Sequence, residues 1–351
     1  MILLLYTFTF CAMVDSVISK DLKTMTDKFS LFISVFGVCF KVANLFLKRE
    51  KIIDVVNVLS KENCVPRDEQ EAIIQRKFDA YERKLTIYCE ILNESATWFA
   101  TVVQFDKFLS TKTLPVSNWV PYDISSKEVH IMSLLHQTFG LMVCANASVA
   151  NETLIAGLMI QVGAQFEIFC HRARILPVSL IQAERESTSM ADLKNRRKRI
   201  LGDLVEHHLE VYKFAHTINT VFQYMIFLQF SISSTVLCLT IYKTSTTDSF
   251  DADIVWNFSY LCCMLMQVYL YCWFGNEVTL KSRKVSDAIY EMDWTGLPVN
   301  VMKDLLIIMT RSKRTLTMSS GHVVTLSTGS FMTIMKITYS SYNILSDSSY
   351  K

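Results

Sequence analysis

Glycine and proline are scarce, with nine and five among 351 residues, where an average chain of this length would hold about three times as many. So few turn-formers exclude a collagen-like or loop-rich chain and disfavour a sheet protein. Charge is also thin, at 19%, and a net charge of +2 offers no global basic field for nucleic acid. No HExxH, CxxC, glycine-rich phosphate loop or GxSxG occurs, so the chain carries no catalytic constellation and calls for no cofactor or metal. Hydrophobic residues make up 51%, and mean hydropathy is +0.27. They stand in long blocks divided by charged stretches, unlike a soluble 40.3 kDa fold, which would spread them over two cores with polar shells. The composition is that of an all-α membrane protein.

A helix crosses a hydrocarbon core about 30 Å thick with about 20 apolar residues. Runs of that kind lie at 2–19, 29–47, 86–109, 129–152, 217–242, 254–275 and 319–345. Alternating segments of barrel type are absent. The pattern predicts seven transmembrane helices in a single domain, 1–351. The connections 48–85, 171–215 and 276–318 hold 25 Lys and Arg against six in the other three. Positive charge stays in the cytosol, which places the N-terminus there and the C-terminus outside. A G-protein-coupled receptor would run the opposite way. Met1 is followed at once by ILLLYTFTF with no basic leader, so 2–19 reads as a first span rather than a signal peptide.

The helical pattern continues beyond the bilayer through GLMIQVGAQFEIFCHRARIL at 157–176 and LVEHHLEVYKFAH at 204–216. These amphipathic extensions predict a cytosolic anchor built from about 153–216 and 276–318. KNRRKR at 194–199 is a positive-inside block in that region. His207 and His208, being adjacent, point about 100° apart on a helix and read as packed side chains rather than a metal pair. The sequons at Asn93, Asn146, Asn151 and Asn257 fall in or beside spans, so little glycosylation is expected. Lys41, Glu90 and Glu94 lie inside spans, where ionisable groups are costly. Two readings stand: a Lys41 pair with Glu90 or Glu94, or a snorkelling lysine beside glutamates in a wet cavity. The seventh span is rich in Ser, Thr and Gly, for close packing or for a hydroxyl stripe along a water path that includes Ser330, Thr333 and Ser341.

Several motifs together resemble the insect odorant receptors: YCWFGNE at 271–277, DWTGL at 293–297, DLLIIMTRSKRTLTMSSG at 304–321 and KITYSSYNIL at 336–345. LPVSNWVPYD at 114–123 and the extension at 157–176 add to the likeness. The resemblance implies a ligand-gated, nonselective cation channel: a hetero-tetramer with a co-receptor subunit, in the plasma membrane of sensory-neuron dendrites. It implies a pore lined by the last helix, with Ile344 at an outer constriction and Ser341 one turn before. It also implies an apolar pocket for small volatile ligands between the second, third, fourth and sixth spans. Positions here at suitable depth are Phe32, Phe36, Trp98, Val102, Phe105, Leu135, Phe139, Met142 and Tyr260. The sequence departs from the family pattern at Ser341, where an aromatic is usual, and at Lys313 and Thr315. It also carries less of the cytosolic N-terminal segment than the family usually has. A gustatory-type receptor channel and a membrane transporter are the alternatives.

Overall fold

The computed structural model describes residues 2–18, 22–111, 114, 117, 119–123, 126–245, 252–321 and 323–349. In chain order the helices are α1 (Ile2–Ile18), α2 (Leu22–Leu47), α3 (Arg49–Val58), α4 (Glu69–Thr111), α5 (Lys127–Glu186), α6 (Met190–Ser245) and α7 (Ala252–Tyr290). There follow α8 (Val299–Ser312), a small hairpin of β1 (Ser319–Ser320) and β2 (Val324–Thr325), and α9 (Thr328–Ser349). The predicted spans fall on α1, α2, α4, α5, α6, α7 and α9. Four of these, α2, α5, α6 and α7, are long and apolar enough to cross a membrane by length and composition. Helix α1 is short at 17 residues, α4 carries Glu90 and Glu94, and α9 is diluted by Ser and Thr.

Helix α5 organises the bundle. Its start is fixed by Ser126, whose hydroxyl accepts from the Val129 N–H at 3.3 Å, satisfying one of the free donors of the first turn. It then runs 60 residues without interruption, through Pro177, a length of about 90 Å at 1.5 Å per residue. Small buried residues such as Ala156, Ala164 and Ala173 let α4, α6 and α7 close around it.

Beyond the spans, the inner parts of α4, α5, α6 and α7 form a platform with α3 and α8. Phe166, Phe169, Phe214, Ile218, Val278 and Leu305 belong to its continuous core. Helix α8 buries Val301, Leu305, Ile308 and Ser312, one stripe at helical spacing. At the centre, the buried Arg172 guanidinium donates to Glu71 at 2.8 and 2.7 Å and to the carbonyls of Asn63 and Val65. It thereby ties the loop before α4 to α5.

Arg172 also donates to His207 Nδ1 at 3.2 Å, which leaves Nε2–H to donate to Gln165 at 3.0 Å. Burial, then the charge of Arg172, pushes the His207 imidazole down to about 3. It is neutral when folded, while the unfolded residue takes up a proton near 6.5. Below that pH the unfolded state binds the extra proton, so stability falls as acid is added, across the window from about 6.5 towards 3. The solubilised protein should therefore melt at a lower temperature at pH 5 than at pH 7, with a smaller difference in His207→Gln. An unchanged pH dependence in the variant refutes the assignment.

The seventh span needs correction. It was expected over 319–345, but α9 begins only at Thr328. Residues 319–320 and 324–325 instead pair as a hairpin, with Ser319 opposite Thr325 and Ser320 opposite Val324. Gly321 supplies a φ of +56° at the turn, where a side chain would be strained. The Ser319 N–H donates to Asn219 Oδ1 at 2.8 Å and the Gly321 N–H to the Gln223 carbonyl at 3.1 Å, both on α6. These tertiary bonds override a weakly helical Ser/Thr sequence. The hairpin also explains the glycine of YCWFGNE: a Cβ at Gly275 would lie 2.3 Å from Leu326 Cβ.

Candidate functional site

In the half of the bundle away from the platform, α2, α4, α5, α6 and α7 enclose a cavity of about 120 Å³. Its walls are mostly apolar, with Leu31, Val35 and Val38 from α2, Leu141 and Cys144 from α5, Ile232 from α6 and Met264 from α7. Ala96 and Ala145 leave the space open. Tyr260 crosses from α7 to α2, its hydroxyl 2.5 Å from Ser34 Oγ.

The floor is polar. Lys41 on α2 donates to Glu152 at 2.5 Å and to Ser148 at 3.0 Å, both on α5. Ser148 donates in turn to Glu152 at 3.2 Å. Gln229 on α6 donates to Gln267 on α7 at 2.5 Å and to Ser233 at 2.8 Å. Lys41 and Glu152 are each 2% exposed, so their charges survive in the bundle only because each has the other. The second oxygen of Glu152 has no hydrogen-bond partner, and the residue borders a smaller chamber of about 40 Å³ that shares Asn93, Cys263 and Gln267 with the cavity.

This pair corrects the expectation that Lys41 meets Glu90 or Glu94. Helix α2 packs on α1, α5 and α6, whereas α4 packs on α5 and α7, so α5 stands between the lysine and those glutamates. Glu152 sits at the edge of the fourth predicted span, where its matching depth could have been recognised.

Among the expected ligand residues, Tyr260 lines the cavity. Phe32 and Met142 are half-buried, and Phe36, Trp98, Val102, Phe105, Leu135 and Phe139 are exposed on outward faces. None of these eight borders the cavity. On α2, α4 and α5 the expected residues turn away from the space, which is lined by neighbours both small, such as Ser34, Ala96 and Ala145, and large, such as Leu31 and Leu141. The expected pore residues divide as well. Ser330 is engaged at the start of α9, its N–H donating to Ser327 Oγ at 3.1 Å. Thr333 is exposed, and its hydroxyl donates to the Gly329 carbonyl. Ser341 is half-buried, and the side chain of Ile344 lies outside the described residues.

The sequon residues Asn93, Asn151 and Asn257 are buried, and Asn146 accepts from Asn93 at 2.6 Å. Asp68, Glu71 and His171 bring ligand atoms within 4.8 Å of one another. Both Glu71 oxygens are already taken by Arg172, so that cluster is an ion-pair network.

A bundle of helices long and apolar enough to cross a membrane, packed around a small, mostly apolar cavity, defines the class as a polytopic all-α membrane protein. A family profile described as 7tm Odorant receptor matches residues 21–339, and the chain belongs to that family. Among relatives, Odorant receptor Or1 of Anopheles gambiae is 23% identical, over 95% of this chain and 84% of its own length. Odorant receptor 85c of Drosophila melanogaster is 21% identical, over 87% of this chain and 78% of its own. The fold is that of the olfactory receptor OR5 from Machilis hrabei, with a TM-score of 0.84 at 14% identity, covering 98% of this chain and 86% of that one. A structure of OR5 in complex with eugenol superposes with a TM-score of 0.83 at 13% identity, covering 99% and 87%.

Proposed function

We propose that this chain is an odorant receptor subunit that binds a small volatile organic ligand in the cavity between α2, α4, α5, α6 and α7. Together with a co-receptor subunit in a hetero-tetramer, it opens a nonselective cation channel in the plasma membrane of sensory dendrites. The observation that carries the reading is the cavity. Its volume of about 120 Å³ is close to that of an apolar protein cavity of about 150 Å³ that takes up benzene. The eugenol bound by OR5 is a ligand of comparable class.

Apolar walls suit ligands with few polar handles, and Tyr260 with Ser34 offers one place for a hydroxyl or carbonyl. Binding favours the open channel only through its differential affinity for that state. In this reading α9 lines the pore, with Ser341 and Ile344 near the outer constriction, and the 25 cytosolic Lys and Arg hold the N-terminus inside.

The test is co-expression with the co-receptor and recording against a volatile panel. Ala145→Leu places a larger side chain in the cavity and should raise the half-maximal concentration of an active odorant about ten-fold or more, at unchanged surface level. Current with the unmodified chain and an unshifted response in the variant moves the ligand out of this cavity. Odorant uptake without current favours a transporter.

A further inference from the structure

A second opening lies where the spans end on the platform side. Helices α4 and α7 diverge there over α5 and leave a groove of about 540 Å³. Lys77, Tyr81 and Lys84 follow one another at four- and three-residue steps along α4, and Trp273, Glu277 and Lys281 at four-residue steps along α7. These spacings put each trio on a single face. The helices run antiparallel, so the groove is graded. Trp273 and the Phe274 ring, 6.1 Å from Tyr81, lie towards the spans together with Lys84, while Lys77, Glu277 and Lys281 lie farther out. Aromatic rings beside long basic side chains at the ends of spans are the composition of a bilayer interface, where a lysine such as Lys84 can snorkel outward.

The charges are not equally available. Lys281 is committed, 2.6 Å from Glu167 and stacked 4.8 Å over the Phe78 ring. Lys77, Lys84 and Glu277 form no ion pair or hydrogen bond with any described residue. Two free cations on one wall thus face a free carboxylate on the other. A simple anion would meet Glu277 and a simple cation would meet the lysines. A group bearing both signs satisfies the whole set.

We propose that this groove holds a phospholipid of the cytosolic leaflet whose headgroup combines a phosphate with a primary ammonium. The phosphate lies between Lys77 and Lys84, and the ammonium donates to Glu277. The glycerol and upper acyl carbons rest on Phe274 and Trp273, on the span side of the headgroup. The leaflet follows from the Lys and Arg count, and the site is independent of the odorant cavity. Primary ammonium matters because its N–H groups can donate to a carboxylate, while a trimethylated ammonium has none to give.

The experiment is native mass spectrometry of the full chain from micelles holding equal phosphatidylethanolamine and phosphatidylcholine with identical acyl chains. The unmodified chain should retain the ethanolamine lipid in preference. Lys77→Gln and Lys84→Gln, both at exposed positions, should each lower retention about five-fold, the contribution of one basic residue at a charged membrane surface. Glu277→Gln should abolish the preference between the two lipids while total retention persists. Equal retention of both lipids by the unmodified chain, or a preference that survives Glu277→Gln, overturns the proposal. So does cross-linking of Lys84→Cys to a neighbouring polypeptide in the assembled receptor, because the groove would then be a subunit contact.

Discussion

Lys41→Met is expected to cost about 3–5 kcal/mol of stability, the penalty for stranding a buried charge when its partner is removed. The variant leaves Glu152 2% exposed with only Ser148 to donate to it. Surface expression should collapse, and the solubilised protein should melt well below the unmodified chain. Glu152→Met should fail similarly, because Lys41 then keeps Ser148 and no counter-ion. The decisive measurement is the double replacement. With both charges gone, the apolar pair should recover most of the lost stability, since a buried ion pair is roughly offset by well-packed hydrophobic residues of similar volume. Lys41→Met paired with Glu90→Met or Glu94→Met should recover none of it. Rescue by one of those glutamates instead would return the lysine to α4 and refute the packing of α2 against α5.

Arg172→Met is the second large effect, again about 3–5 kcal/mol, and here the conservative variant is informative. Arg172 makes two bonds to Glu71 and two to backbone carbonyls of the loop before α4 while also donating to His207. Such a set needs a planar fork with several donors in fixed directions, which lysine lacks. Arg172→Lys should therefore rescue little, although it keeps the charge. The reading is limited proteolysis: the loop at 59–68 should become cleavable in both variants while the half of the bundle around the cavity stays intact. Full rescue by lysine would reduce the cluster to simple charge neutralisation.

The two halves of the molecule were unequally legible in its sequence. The crossings could be read because bilayer thickness imposes a length on each apolar run, as on α2, α6 and α7. The helical continuation of α5 and α6 beyond the bilayer could be read from unbroken helical sequence, but α5 was misread as amphipathic: from Gly157 to Cys170 it is buried on nearly every side, Gln161 and Gln165 included. The cavity could not. In a soluble helix the apolar stripe marks the inside, but lipid is as apolar as a core, so Phe36 and Val35 give the same signal while facing opposite ways. Size does not separate the faces either: Leu31, Leu141 and Met264 line the space with Ser34, Ala96 and Ala145, while Trp98, Phe105 and Phe139 face outward. Lys41 was legible as costly, but its partner depends on which helices are neighbours, a property of the fold. The hairpin before α9 was hidden because its reason lies about 100 residues away, in Asn219.

Helix α5 carries the cavity floor at Ser148 and its own last turn at Glu186 on one uninterrupted rod. The two points are about 57 Å apart at 1.5 Å per residue. A pivot of about 3° at the floor displaces the far end by about 3 Å over that length, the scale on which subunits repack against one another. A small rotation beside the cavity is thus geometrically amplified at the far end of the helix. A displacement too slight to resolve beside the cavity becomes one that a distance probe near Glu186 can read.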